Sequence, residues 1–314
     1  MGIITQRHNT VAGIALFTSS IFYTSAATAF TLPISSHSTN DVVGWQVITY
    51  SKAGDTPLKI AQRHSVSIQR LQALNPKVRH WQKQRIYLPY QVILPQLIQQ
   101  QKSKITVNLA EKRLYYFNAK SKVLSVYPVS IGREHWRTPT PTKTTYIIHK
   151  KQHPTWNVPA SIQRYYRAQG KSLPKQVPPG PENPLGTRAL YLGITGILIH
   201  GTNQPASIGT ASSSGCIRLY TNDIEHLYKQ AGVNTPVKLI YQPYKVGFNE
   251  NVLYIEAHPV ISDYDKNNQQ RQIIIEKLQN MTNNSKQLQV NWSLVDKAIN
   301  EAAGIPVPIG KLFY

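Results

Sequence analysis

The sequence predicts a mainly β protein in which a large β domain is preceded by a smaller α+β module. Between residues 104 and 241, apolar and polar residues alternate in short runs separated by turns, which is typical of a β-sandwich or a barrel-like sheet. Between residues 43 and 90, two strand-like runs flank apolar residues at helical spacing. With 314 residues, of which 41% are hydrophobic, the chain is long enough for two packed units.

The amino-terminal segment has the features of an export signal. Arg7 precedes an uncharged apolar run from Val11 to Tyr23, and small residues follow, ending in Ala27-Thr28-Ala29. The run is shorter than the roughly 20 apolar residues that a membrane-spanning helix needs. We therefore predict a cleaved signal peptide over residues 1–29 and a secreted mature protein.

Composition restricts the classes of function. The chain has 35 Lys and Arg against 14 Asp and Glu, a formal charge of +21. Such a charge favours anionic partners, but export and the lack of any nucleic-acid-binding motif argue against nucleic acid. We interpret the charge as a surface suited to an anionic cell wall or membrane face. The single cysteine, Cys216, excludes an intrachain disulfide and a multi-cysteine zinc site.

The module over residues 43–90 reads as strand, two short helices and strand. The first strand contains Val47 to Tyr50, Asn75-Pro76 ends the second helix, and Arg85 to Pro89 form the closing strand. Together with Gly54-Asp55-Thr56, this layout resembles the LysM module. The resemblance implies binding to peptidoglycan glycan strands; the alternative is a spacer domain without glycan affinity.

Two other segments are less regular. A proline-rich stretch from Gly132 to Pro181 interrupts the β domain, and a long insertion of this kind favours a functional lid. The C-terminal extension, residues 245–314, contains a strand at Val252 to Glu256, a polar Asn/Gln-rich segment without assigned structure, and a helix that we expect to open at Ser293. We expect this extension to pack against the β domain.

The candidate chemistry lies between His200 and Arg218. His200 ends a buried-type strand, and Cys216 follows a run of small residues, Ser213-Ser214-Gly215. A thiol needs a base or positive surroundings to become a nucleophile, and His200 and Arg218 can supply both. Small residues beside a nucleophile leave backbone N–H groups free for an oxyanion hole. The alternative is an inert buried cysteine, and spacing alone does not show that Cys216 meets His200.

The run Ile199 to Thr202, followed by Ser213 to Leu219, resembles the active-site signature of the L,D-transpeptidases with the YkuD-type catalytic domain. The resemblance spans residues 104–241 and implies a β-sandwich or barrel-like fold. The whole chain is similar to the periplasmic branch that attaches Braun-type lipoprotein to peptidoglycan, which implies a periplasmic location. Ser214 is a departure, since many family members have histidine there.

The resemblance also implies roles for individual residues. Cys216 would attack the carbonyl at the L-centre of diaminopimelate in a tetrapeptide stem and release D-alanine, with His200 as base. Backbone N–H groups of Ser214, Gly215 and Cys216 would bind the oxyanion, and Arg218 would order the loop or contact a substrate carboxylate. No cofactor or metal is implied, and carbapenem-type inhibitors are expected to bind. The substrate-binding candidates are Tyr191, Trp156, Gly201, Thr202 and Ser213.

Several alternatives remain open at the level of sequence. With water as acceptor the same thioester gives an L,D-carboxypeptidase, and with a second stem it gives a 3–3 crosslink. A papain-like hydrolase is disfavoured because no pattern of that class surrounds Cys216. A non-catalytic wall-binding protein would be unaffected by Cys216→Ala.

Overall fold

The computed structural model describes residues 29–34, 40–99, 104–140, 144–265 and 267–313. The predicted signal peptide lies outside these residues except for Ala29, which is buried in the main core. No described helix is long and apolar enough to cross a bilayer.

The secondary structure comprises many short strands and a few helices. The strands are β1 (Phe30–Pro33), β2 (Val42–Val43), β3 (Gln46–Tyr50), β4 (Arg85–Pro89), β5 (Val92–Ile93), β6 (Ile105–Asn108), β7 (Arg113–Asn118), β8 (Val123–Pro128), β9 (Ile131–Gly132), β10 (Thr145–Gln152), β11 (Trp156–Asn157), β12 (Gln176–Val177), β13 (Arg188–Leu192), β14 (Leu198–His200), β15 (Ala211–Ser213), β16 (Ile217–Arg218), β17 (Pro236–Ile240), β18 (Tyr244–Asn249), β19 (Val252–Ala257), β20 (Leu288–Val290) and β21 (Val307–Leu312). The helices are α1 (Pro57–Arg63), α2 (Ile68–Leu74), α3 (Gln96–Gln99), α4 (Ala160–Ala168), α5 (Thr221–Gln230), α6 (Gln269–Asn284), α7 (Trp292–Glu301) and a 3₁₀ turn (Pro205–Ser207).

The main sheet has nine strands in the order β1-β8-β7-β6-β17-β10-β13-β14-β16. Most neighbours are antiparallel, whereas β6 with β17 and β14 with β16 are parallel. The mainly β fold predicted from the alternating pattern is thereby confirmed. The candidate chemistry lies at the edge of this sheet that is formed by β14 and β16.

Strand β7 shows why this sheet is buried on both faces. Its side chains alternate, as in any strand: Leu114 and Tyr116 point into the main core, while Tyr115 and Phe117 pack in a second core on the opposite face. That second core includes Val92 and neighbouring residues of the segment that leads into the sheet. Burial on both faces is the reason that the four central residues of this strand, from Leu114 to Phe117, are all aliphatic or aromatic.

Residues 46–89 form a unit with its own small core. Strand β3 pairs with β4, and α1 and α2 lie between them in sequence, which is the predicted order of elements. Thr56 and Ser67 cap the two helices by accepting hydrogen bonds from backbone N–H groups, and Pro57 occupies the first turn of α1, where its missing N–H is not needed. The identification of this unit as a LysM module stays a prediction.

The C-terminal extension folds as a four-stranded sheet, β18-β19-β21-β20, with α6 and α7 packed on it. The polar segment for which no structure is assigned from sequence is helix α6. Its buried residues are Ile274 and Leu278, and the partly buried Ile275 and Met281 pack beside them. Helix α7 is capped by Asn291, which accepts a hydrogen bond from Leu294 N, so the expected opening at Ser293 is wrong by two residues. An asparagine caps as well as a serine does.

Candidate active site

The parallel pairing of β14 with β16 builds the centre of the site. Ile199 lies opposite Ile217 and His200 opposite Arg218, which places Cys216 directly before β16, beside the strand that ends in His200. Both isoleucines are fully buried in the main core. The core therefore fixes the two strands, with Cys216 just before the start of β16 and His200 at the end of β14.

The loop before Cys216 is held by short-range hydrogen bonds. Thr138 is buried; its hydroxyl accepts from Gly132 N at 2.8 Å and donates to Gly215 O at 2.8 Å. Ser213 is also buried, and its hydroxyl donates to Cys216 O and accepts from Gly215 N at 3.2 Å. Gly215 has φ +105°, a conformation that L side chains rarely adopt. The loop is thus rigid around the cysteine.

Of the three amides expected to bind an oxyanion, that of Gly215 is already used inside the loop, because it donates to Ser213 Oγ. The N–H groups of Ser214 and Cys216 stay the candidate donors. The serine side chain at 213, expected to contact substrate, lies within the loop and not on its surface.

Cys216 is partly exposed, as a nucleophile must be. Its Sγ donates to the carbonyl oxygen of Gly196 at 3.4 Å. Burial raises the pKa of the thiol, while a backbone hydrogen bond from Leu198 and the positive charge of Arg218 act in the opposite direction. The resting group is therefore a neutral thiol at neutral pH, so a base is needed to activate it.

His200 has the properties of that base. It is only 3% exposed, and its Nδ1 lies 2.7 Å from Gly201 O, which assigns the ring proton to Nδ1 and leaves the lone pair on Nε2. Burial, together with the charge of Arg218, lowers the pKa of His200 to about 3. The imidazole is thus neutral at pH 7 and able to accept a proton.

His200 ends β14 and Cys216 directly precedes the neighbouring β16, but no hydrogen bond joins the two side chains within the described part of the chain. The expected direct contact is absent in this geometry, because the thiol donates to Gly196 O and the ring is held by backbone carbonyls of Gly201 and Leu185. Proton transfer requires the S–H to leave Gly196 and turn towards His200.

Arg218 and Tyr191 also lie beside the sulfur. Tyr191 pairs with Leu198 across β13 and β14, and its pKa is raised by burial and further by the proximity of Cys216. Burial lowers the pKa of Arg218, and the thiolate form of Cys216 opposes that effect. These two side chains are therefore close enough to Cys216 for their charges to interact with it.

The other predicted substrate contacts have different positions. Gly201 packs against Gly186, where a Cβ would meet backbone at 3.3 Å, and the buried Thr202 accepts from Gln204 N at 3.0 Å. Trp156 lies in the hairpin of β11 and β12 within the insertion. In the described residues it makes no hydrogen bond or ring contact with Cys216 or His200.

Sequence reasoning missed a group contributed by the insertion. The guanidinium of Arg133 lies 4.9 Å from the ring centre of Trp136 and 4.7 Å from that of Tyr165, and the two rings are 5.3 Å apart. Tyr165 is on α4, inside the stretch predicted as a lid without helical structure. The aromatic residues at 136 and 165 are the only sequence signal that could have indicated this contact.

One group of potential metal ligands lies elsewhere. The ligand atoms of Glu111, Glu256 and His258 are within 4.8 Å of one another. Lys245 already pairs with both carboxylates, at 2.9 and 3.1 Å, and Arg113 pairs with Glu111 at 2.6 Å and also with Glu256. The negative charge that would attract a cation is thereby neutralised, so this group is an ion-pair cluster.

Comparison with known proteins identifies the family. The YkuD L,D-transpeptidase catalytic domain matches residues 102–239. Over 291 residues the chain is 33% identical to the probable L,D-transpeptidase YbiS of Escherichia coli K12. The matched region covers 91% of this chain and 94% of YbiS. The chain belongs to the L,D-transpeptidase family.

Further L,D-transpeptidases show a similar relationship. The probable L,D-transpeptidase YcfS of Escherichia coli K12 is 37% identical over 210 residues, 65% of each chain. Among solved structures, L,D-transpeptidase 3 of Mycobacterium tuberculosis in complex with a faropenem-derived adduct is 15% identical, covers 43% of this chain and 59% of its own, and has a TM-score of 0.32. The predicted membership of the L,D-transpeptidase family is confirmed by the family model and by the curated relatives.

Proposed function

We propose that this L,D-transpeptidase acts on peptidoglycan tetrapeptide stems in the periplasm through a thioester on Cys216. It releases the terminal D-alanine and transfers the diaminopimelate carbonyl to an amine. The acceptor is the lysine of an outer-membrane lipoprotein or the amine of a second stem. The unit over residues 46–89 binds the glycan strands.

One observation carries the proposal. The parallel register of β14 and β16 places a partly exposed thiol beside the strand that ends in a buried neutral imidazole. In this register Cys216 lies opposite Leu198, two residues before His200, so the thiol and the imidazole belong to the same face of the strand pair. A nucleophile and a base on one face are what acyl transfer by a cysteine needs. Arg218 and Tyr191 complete the surroundings of the sulfur.

In the first half of the reaction, the thiol leaves Gly196 O and gives its proton to Nε2 of His200. Sulfur attacks the carbonyl carbon and forms the C–S bond, and the N–H groups of Ser214 and Cys216 stabilise the oxyanion. The C–N bond then breaks, and the imidazolium returns the proton to the departing amine of D-alanine. The product is a thioester and a neutral His200.

In the second half, the acceptor amine attacks the thioester while His200 takes its proton. The C–S bond breaks, and the proton passes back to the sulfur. Water in place of the amine yields the carboxypeptidase product. The same residues serve both outcomes, so acceptor choice depends on which nucleophile occupies the cleft.

The test uses the mature protein and a carbapenem. We expect intact-protein mass spectrometry to show one covalent adduct that peptide mapping places on Cys216, and no adduct on Cys216→Ala. An unmodified wild-type protein at pH 7, or an adduct that persists in Cys216→Ala, contradicts the proposal. Ser35→Ala, outside the signature, serves as the handling control.

Product analysis then separates the acceptors. The enzyme is incubated with tetrapeptide muropeptides, with or without a lysine-terminated lipoprotein peptide, and the products are separated by liquid chromatography and weighed. A stem linked to the peptide supports lipoprotein attachment, a stem dimer supports 3–3 crosslinking, and tripeptide alone supports the carboxypeptidase alternative.

A further inference from the structure

Two arginines near the cysteine lack an acidic partner. A short segment brings them together: Ser130 exchanges two backbone hydrogen bonds of 2.9 Å with Arg218, and three residues later the N–H of Arg133 donates to Ser213 O at 3.0 Å. The two arginines therefore flank the loop that carries Cys216. Neither guanidinium forms an ion pair with a carboxylate in the described residues.

Each arginine also holds a buried N–H group that has no hydrogen-bond partner in the described structure, Nη2 of Arg133 and Nε of Arg218. A buried donor without a partner is costly, and such groups are rare in folded proteins. A guanidinium offers only donors, so the missing partner must be an acceptor. The acceptor that best offsets two positive charges is an anion.

The surroundings of Arg133 leave it ready to bind such an acceptor. Its guanidinium carbon lies over the rings of Trp136 and Tyr165, which are cation–π contacts and use none of its N–H groups in a hydrogen bond. Its N–H edge is left for hydrogen bonds, and an arginine edge matches a carboxylate in a bidentate geometry. Helix α4 has no buried residue. Tyr165 is the residue of this helix that contacts the guanidinium of Arg133.

We propose that Arg133 and Arg218 form a carboxylate subsite that binds the free α-carboxylate of the C-terminal residue released from the donor stem. In the donor, that carboxylate is three bonds from the carbonyl carbon that Cys216 attacks, so a site beside the sulfur is within its reach. The inference rests on the proposed function and adds substrate selection to it. Peptides that end one residue after the scissile bond fit the subsite, and longer stems do not.

Electrostatic evidence agrees with this geometry. The charge of Arg133 acts to lower the pKa of Arg218, in addition to the effect of burial, so the two guanidinium groups repel each other when the subsite is empty. A bound carboxylate relieves this repulsion.

The test compares three donor stems: the tetrapeptide, the tetrapeptide with a C-terminal carboxamide, and the tetrapeptide with a carboxamide on the diaminopimelate side chain. We expect Arg133→Gln to lower kcat/KM for the first and third stems by roughly 10- to 100-fold. The C-terminal amide should be a poor donor for the wild type and lose nothing further in the variant. Arg167→Gln changes an exposed arginine on α4, the helix that carries Tyr165; it is the matched control and should leave all three values unchanged.

A binding measurement keeps the subsite testable apart from turnover. Calorimetry with Cys216→Ala should show tighter binding of the free tetrapeptide than of its C-terminal amide, and this preference should vanish in Cys216→Ala/Arg133→Gln. The subsite is refuted if Arg133→Gln weakens all three stems equally, or if the loss seen with the free tetrapeptide disappears when the diaminopimelate side chain carries a carboxamide. An enzyme that binds the free carboxylate through Arg133 but forms no thioester refutes the proposed function and leaves the subsite standing. Circular dichroism melts and the Arg133→Lys variant, which we expect to recover part of the loss, exclude misfolding as the cause.

Discussion

Charged side chains are buried or partly buried in two regions of this molecule, and the regions differ in whether those charges are paired. In the ion-pair cluster of Glu111, Arg113, Lys245, Glu256 and His258, every charged group has an opposite charge within bonding distance. At the active site, Arg133 and Arg218 form no ion pair with a carboxylate among the described residues. Buried N–H groups without a hydrogen-bond partner occur in both regions, on Arg113 as well as on Arg133 and Arg218. The first region is closed, because its charges pair with one another, and the second is open, because its two arginines have no opposite charge beside them in the part of the chain that the structure describes.

The cluster joins two parts of the chain. Glu111 and Arg113 belong to the β domain, and Lys245, Glu256 and His258 to the C-terminal extension. Burial alone would raise the pKa of Glu256, but Arg113 and Lys245 outweigh it and hold the pKa well below its usual value. Glu256 therefore stays ionised, and the cluster fastens the extension to the β domain.

The largest effect is expected at the open region. His200→Gln removes the base, so acylation by a carbapenem should slow by roughly 10²- to 10⁴-fold at pH 7. The wild-type rate should be flat between pH 5 and pH 8, because His200 has a pKa of about 3 and the thiol pKa is raised. In the variant the thiolate must form unaided, so its rate should rise about tenfold per pH unit. Stopped-flow absorbance of the carbapenem measures both profiles.

A wild-type profile with an acidic limb near pH 6.5 would show that His200 titrates as an exposed histidine does, contrary to its buried position. His80→Gln, which changes an exposed histidine in the N-terminal unit, is the control and should leave the rate unchanged.

The next effect is expected at the closed region and on stability. Glu256→Gln leaves Arg113 and Lys245 with one carboxylate between them, and breaking a buried ion pair from one side costs about 3–5 kcal/mol in the free energy of unfolding. Urea denaturation at pH 7 measures this loss. Asp296→Asn removes an exposed carboxylate that pairs with Arg271; the side chain of Asp296 is 58% exposed and that of Arg271 is 45% exposed. This variant should lose less than about 1 kcal/mol in the free energy of unfolding. Equal losses of unfolding free energy in the two variants would show that the buried cluster contributes no more to stability than an exposed ion pair does.

The sequence predicts the parts of this molecule that follow local rules. Alternation in β6 and β7, the order of elements in residues 46–89 and the signature around Cys216 can be read from neighbours along the chain. Helix α6 is harder to predict, because only Ile274 and Leu278 of its residues are buried and polar Gln and Asn residues surround its short apolar stripe.

The candidate site shows the same division. His200 and Cys216 are identified from the signature, but the hydrogen bond from Cys216 to Gly196 depends on how β13 turns into β14. The contact of Arg133 with Tyr165 joins residues on either side of β10 and depends on a helix within a proline-rich insertion. Such contacts follow from tertiary packing, which no local pattern encodes.

The smallest effect concerns a buried acid that belongs to neither kind of region. Asp223 on α5 is buried, and the hydroxyl of Ser65 donates to its Oδ1, while its Oδ2 has no partner in the described structure. Burial raises its pKa from 3.8 to about 7, although the Ser65 hydrogen bond opposes the shift. Between those two pH values the folded state holds a proton that the unfolded state has lost, so stability falls as the pH rises.

Asp223→Asn carries no titrating group and should escape this loss. Relative to the wild type, the variant should gain about 2–3 kcal/mol in the free energy of unfolding between pH 5 and pH 8, measured by urea denaturation at both pH values. All other groups titrate alike in the two proteins, so the difference isolates Asp223. Glu225→Gln, on the same helix, should show no such gain, and a gain of equal size there would mean that the helix as a whole responds to charge. A buried carboxylate without a cation thus costs stability when ionised, which is the reason that the cluster around Glu256 pairs every charge it holds.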